Sequence, residues 1–269
     1  MSSGNKSSGS ALYISHGGGP LPLLGDSAHR DMVEVLKHIT NLVERPAAII
    51  VISAHWEADR PTITGAANPP LIYDYSGFPP ESYQIQYPAP GEPSLAADIF
   101  SALENAGIRA VVDQQRGFDH GVFVPLKIMY PDADIPCVQL SLLKSLSPVA
   151  HIQIGQALAA LKNDNVLVLG SGFSFHNMKA FFSPSTAESR SRNEAFEQWL
   201  IETCSSPALR EAERNSRLIA WENAPAARYC HPREEHLLPL HVCYGWAESP
   251  ARQVFTFEVL GKQASAYLW

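Results

Sequence analysis

Histidine stands beside an apolar run in four segments of this chain: "LYISHGGG" (12–19), "IIVISAHWE" (49–57), "VLVLGSGFSFHN" (166–177) and "HPREEHLLPL" (231–240). An imidazole is a metal ligand, an acid or a base near neutral pH. His16 and His55 each close a run of the kind that forms a buried strand. In an open α/β sheet, ligands collect at the carboxyl ends of parallel strands, so two such strands side by side would bring both imidazoles to one point. Gly17, Gly18 and Gly19 keep the backbone beside His16 free of side chains, which suits a bound group, although glycines also serve a plain turn. Two histidines do not complete a metal centre. Zinc takes a third ligand, and two histidines with one carboxylate mark non-haem iron(II) oxygenases. The fourth segment offers His231, Glu234, Glu235 and His236, with His241 just beyond; its acidic pair equally suits a helix N-terminus.

Two more histidines sit at element ends. His120 lies in "GFDHGVFVPL", an Asp-His-Gly turn before an apolar helical run. Asp119 is placed either to orient that imidazole or to cap the helix. His176 follows a buried strand and two glycines. That turn has the look of an anion site, but no lysine accompanies it. The chain has no G-x-S-x-G elbow, Walker sequence, G-x-G-x-x-G after a strand, or H-E-x-x-H. Their absence removes the commonest serine-hydrolase, NTPase, dinucleotide and zincin readings.

Holding these groups requires a rigid scaffold, and 269 residues suffice for one large α/β domain with a substantial core. Continuous apolar runs predict strands at 11–14, 47–54, 108–113, 136–142, 165–171 and 254–260, and "YQIQY" (83–87) alternates as a further one. Helical spacing predicts helices over roughly 27–44, 93–106, 121–130, 148–162 and 188–203, with Ser147 and Pro148 opening the fourth. Strand alternating with helix implies a central, mostly parallel sheet with helices on both faces and the metal site at strand carboxyl ends. Residues 60–92, rich in proline, glycine and aromatics, break the pattern and read as a wall or lid.

A formal charge of −7 gives no basic footprint for nucleic acid. No apolar run approaches the ~18 residues of a membrane span. Residues 1–10, "MSSGNKSSGS", read as a disordered tail without the apolar core of a secretory signal, so the expected compartment is cytoplasmic. Cys137, Cys204, Cys230 and Cys243 form no CxxC pair and read as reduced structural thiols.

Taken together, "SHGGGPLPL", "SAHWE", "DHGVFVPL", "GSGFSFHN" and "EEHLLPL" resemble, in family order, the LigB-type extradiol ring-opening dioxygenases, in the branch similar to 4,5-DOPA dioxygenases. The resemblance runs from Ala11 to the C-terminus and implies one catalytic domain over 11–269. It implies a mononuclear iron(II) site that takes a catechol and O2. His16, His55 and His236 match the metal ligands. The third position is glutamate in the protocatechuate-cleaving relatives, so His236 departs from that pattern, and an all-nitrogen set suits zinc as well. His176 matches the acid/base, close enough to be a fourth ligand, with His120 lining the pocket. Gly17, Gly18, Asp119, Tyr73, Tyr75 and Phe78 are the expected substrate contacts. Partners are then a small aromatic diol and O2, with no oligomeric state implied. Two other readings share the ligands: a zinc hydrolase with Glu57 or Glu235 as base, and a Memo-like, non-catalytic metal-binding protein.

Overall fold

Residues 49–52 and 167–169 are closed from water on every side, as uninterrupted apolar runs are when a sheet is covered on both faces. They form the centre of the computed structural model, which describes residues 9–269. Residues 1–8 of the expected tail lie outside the described residues; Ser10, its last residue, already pairs with Leu167. The strands are β1 (Ser10–Ser15), β2 (Ala48–Ala58), β3 (Thr62–Thr64), β4 (Val111–Asp113), β5 (Cys137–Leu143), β6 (Val166–Gly172), β7 (Gln253–Val259) and β8 (Lys262–Leu268). They make one sheet in the order β4-β3-β5-β2-β6-β1-β8-β7. Its central four, β5-β2-β6-β1, are all parallel, and antiparallel pairings join β3 to β5, β8 to β1 and β7 to β8.

The helices are α1 (Arg30–Thr40), α2 (Pro93–Asn105), α3 (His120–Met129), α4 (Pro148–Leu158), α5 (Met178–Phe181), α6 (Ala187–Ser205), α7 (Glu211–Ile219), α8 (Ala227–Cys230) and α9 (Leu238–Ala247). α3 packs on β2 and β6 from one side, with α1 beside it, and α9 lies on β6 and β1 from the other, backed by α4. β6 shows the two faces residue by residue. Ser171 reaches Gly121 of α3, while Gly170 approaches the Pro239 carbonyl of α9. The fold is the mostly parallel α/β sheet that the alternation implies. Among the described residues no helix is long and apolar enough to cross a membrane.

Two local expectations need correction, and two strands went unread. "YQIQY" is not a strand: Pro80–Gln84 forms a 3-10 turn, tied down by the Tyr75 hydroxyl on the Ser82 carbonyl and the Tyr73 hydroxyl on that of Ile85. Alternation there serves a turn with no strand alongside. The helix expected over 27–44 begins as a 3-10 turn, Ser27–His29, and ends at Thr40. β3 and β8 were not legible, the first because it is three residues long and the second because its buried positions are largely Ala and Ser.

Candidate metal centre

His16 follows the last residue of β1, and its N–H continues the ladder to the Gly172 carbonyl at 3.0 Å. His55 lies within β2, where the register against β5 slips between Ile52 and Glu57; such an irregularity re-aims side chains. β1 and β2 are not neighbours. β6 separates them, and the two imidazoles meet over its carboxyl end with their Nε2 atoms 3.0 Å apart. His236 comes from the segment before α9, fixed through its carbonyl, which accepts from Tyr13 Oη at 2.9 Å and from the Phe173 N–H at 3.0 Å. That approach needs Gly172, because a Cβ there would stand 2.0 Å from the His236 oxygen. Ligand nitrogens of His16, His55 and His236 all lie within 4.8 Å of one another.

Hydrogen bonds set which nitrogens face the centre. Ser171 donates its proton to the Gly121 carbonyl, so its Oγ accepts from His16 Nδ1, 3.0 Å away. His236 Nδ1 donates to Glu235 Oε1 at 3.0 Å. Both rings therefore keep an unprotonated Nε2, the form a metal ligand needs. Burial pushes the pKa of His16 and His55 well down, and the neighbouring histidines push it further. Burial likewise brings His236 to about 3, with His176 adding to the effect. All three are neutral at pH 7. A metal–nitrogen distance of about 2.1 Å puts two nitrogens at a right angle about 3.0 Å apart, so the donor set fits one first-row ion.

Two further clusters adjoin this one. His176 stacks on His236 with ring centres 3.4 Å apart, and its Nδ1 lies 3.2 Å from Glu235 Oε1. His176, Glu235 and His236 form their own group of close ligand atoms. Burial works against the Glu235 charge, but the hydrogen bonds from His176 and His236 outweigh it and hold the carboxyl well below its usual range. The third cluster is His55, Asp74 and His120. Asp74 Oδ1 accepts from His120 Nδ1 at 2.8 Å and from its backbone N–H at 3.0 Å. Asp74 Oδ2 is 3.9 Å from His55 Nδ1, too far for a hydrogen bond.

Asp119 therefore does not orient His120, nor does it line the cavity. It precedes α3 and points into the sheet, where it accepts from Ser53 Oγ at 2.7 Å, from Gln139 and from Arg116. Asp74, the residue that does hold His120, comes from a loop between two tyrosines and carried no local signal. His231 and His241 also stand elsewhere. His231 packs between Phe196 and Trp221 with Nε2 on the Ser174 carbonyl, and His241 bonds the Leu218 carbonyl. Glu57 takes the Arg233 guanidinium on both oxygens, at 2.6 and 2.7 Å. Glu235 spends Oε1 on His176 and His236, so each carboxylate already has a partner in the fold.

A cavity of about 390 Å³ opens over the three histidines. Gly17, Gly18, Tyr75, Phe78, His120 and His176 all line it. Tyr73 stands behind Tyr75 with its ring against Phe123. The glycines make room for protein as well as for a ligand. Gly17 has φ +85°, and a Cβ there would meet His29 and Pro22 at 2.8 Å; one at Gly19 would meet Phe78 at 3.1 Å. His29 in turn accepts the Gly18 N–H at 2.9 Å and leans on Asp26, which pins the loop.

Residues 10–267 match the family of the catalytic LigB subunit of aromatic ring-opening dioxygenase. The chain is 44% identical over 273 residues to the dioxygenase tasH of Hapsidospora irregularis, covering 96% of this chain and 84% of that one. It is 37% identical to the 4,5-DOPA dioxygenase extradiol of Beta vulgaris, over 88% of this chain and 86% of the relative. The crystal structure of the uncharacterized protein JW3007 from Escherichia coli K12 superposes with a TM-score of 0.74 at 27% identity, covering 96% of this chain and 98% of that one.

Proposed function

This chain belongs to the LigB family of aromatic ring-opening dioxygenases, and on that premise we propose that it is an iron(II)-dependent extradiol dioxygenase opening the ring of a substituted catechol with O2. The observation that carries the proposal is the convergence of three neutral imidazoles at a cavity roomy enough for a substituted aromatic ring. His16, His55 and His236 would hold the iron(II), which would supply a Lewis acid for the catechol and a way around the spin barrier between O2 and a closed-shell ring. The same nitrogens suit zinc, so aerobically isolated protein is expected to carry some.

The remaining roles fall to the chain's own groups. His176 borders the cavity beside His236, and we assign it the proton: it takes one from a substrate hydroxyl on binding and returns one to the ring-opened product. Its Nδ1 is paired with Glu235, which leaves Nε2 for the transfer. His120 has its Nδ1 proton on Asp74, so its Nε2 can accept a hydrogen bond from the second hydroxyl. Tyr75 and Phe78 give the ring a flat apolar wall and keep water away. A Memo-like binding role would leave the Asp74–His120 pair without a use. The four cysteines, all buried and unpaired, support a reducing compartment such as the cytoplasm.

The test is anaerobic loading with iron(II), then catechol and ¹⁸O₂. One O2 consumed per catechol, with both atoms in a ring-opened product, is the expected outcome. No uptake with any catechol would remove the dioxygenase reading.

A further inference from the structure

We infer that the substrate is a catechol whose ring substituent is uncharged and largely apolar, and not an amino-acid-bearing catechol such as DOPA; the inference rests on the dioxygenase reading above. Apart from the histidines, no charged side chain, and no Ser, Thr, Asn or Gln, lines the cavity among the described residues. Tyr75, the remaining polar lining residue, has its hydroxyl committed to the Ser82 carbonyl at 2.7 Å. Beyond the five histidines, Tyr75 and the glycines, the lining is wholly apolar, with Leu21, Phe78, Met178, Phe182 and Leu260 among it.

Size agrees with chemistry. A cavity of about 150 Å³ holds a benzene ring, so about 390 Å³ leaves roughly 240 Å³ for a substituent. An ammonium and a carboxylate placed against these apolar walls would lose water without gaining a charged partner among the cavity's lining residues. Lys179, Arg233 and Glu235 line an adjoining cleft that shares His176 and Met178 with the cavity, and none of the three lines the cavity itself. Arg233 is moreover committed to Glu57.

The mouth carries the same signature. Met178 and Phe182 are 53% and 84% exposed, unusual for side chains of their size, and both border the cavity. Leu260 turns the β7–β8 hairpin with φ +52°, a left-handed conformation that glycine or asparagine adopts at lower cost. A branched side chain held there against that cost closes one edge of the cavity, and its N–H is fixed on the Ala28 carbonyl at 3.1 Å.

The experiment compares kcat/KM of the iron-loaded enzyme for 4-butylcatechol, 3-(3,4-dihydroxyphenyl)propionate and DOPA. It also measures binding of the unreactive phenols 4-butylphenol and tyrosine by calorimetry. The alkyl compounds are expected to be favoured by at least about tenfold in both readouts. A smaller preference, or the reverse order, overturns the inference. Met178→Arg should shift the kcat/KM ratio toward the propionate by about tenfold or more, and an unshifted ratio overturns the placement of the substituent. Cleavage of DOPA in preference to 4-butylcatechol would sink this inference alone. Cleavage of no catechol at all, with 4-butylphenol still bound, would sink the dioxygenase reading instead.

Discussion

Ser171 Oγ lies 3.0 Å from His16 Nδ1 and spends its own proton on the Gly121 carbonyl. A side chain of β6 thereby fixes the tautomer of a histidine that follows β1, and α3 fixes that side chain. Ser171→Ala removes the acceptor and lets His16 turn or protonate at the wrong nitrogen. Metal affinity should fall about 10- to 100-fold with the circular dichroism spectrum unchanged, as read by chelator competition. An unaltered affinity would mean that packing alone orients His16.

Asp74 holds His120 by two hydrogen bonds at 2.8 and 3.0 Å. Asp74→Asn should lower kcat about 10- to 100-fold while iron per chain stays constant, because the ring loses its orienting charge and keeps its place. Oxygen-electrode kinetics with parallel metal analysis check this. Loss of iron instead would show that Asp74 acts on His55.

His176 shares Glu235 with His236, and the two rings stack. His176→Ala should retain metal and still bind catechol, yet lose about 10²- to 10⁴-fold in ring cleavage. Partial recovery is expected at higher pH, where the substrate ionises unaided. Should metal leave with activity, His176 is a fourth ligand.

Much of this arrangement could be read from residue order. The runs before His16 ("ALYI") and His55 ("AAIIVI") form strands because an uninterrupted apolar stretch is buried best in a sheet covered on both faces, and their histidines then fall at the sheet's carboxyl edge. His236 was reachable only through family resemblance, since His231 and His241 flank it with similar credentials. What decides among them is Gly172, which lets the His236 carbonyl approach β6. Asp74 was illegible because its partner lies 46 residues away. Asp119 misled for the opposite reason: adjacency in sequence suggested contact, but the turn into α3 sends the two side chains to different sides. Arg233 and Glu57, 176 residues apart, show how a pairing made only by the fold occupies a carboxylate that local reading left open as a base.

Glu197, which does not line the cavity, is buried beside Ser265, whose hydroxyl it accepts at 2.6 Å. Burial raises its pKa from 4.5 to about 7, against the hydrogen bonds that favour its charge. Between these values the unfolded chain releases a proton that the folded chain keeps. Its contribution to stability is thus fully present below pH 4.5 and is lost as pH rises to 7, on the order of 3 kcal/mol in all. Melting temperature measured against pH should show this slope, and Glu197→Gln should flatten it. An identical slope in the variant would assign it to other groups.

The central claim is that His16, His55 and His236 hold one ion. Its most direct test is metal per chain by elemental analysis after anaerobic iron(II) loading, in the wild type and in the single variants His16→Ala, His55→Ala, His236→Ala, His231→Gln and His241→Gln. One iron per chain is expected in the wild type and in the His231 and His241 variants, with little or none in the other three. Full occupancy in His236→Ala together with loss in His241→Gln would contradict the assignment.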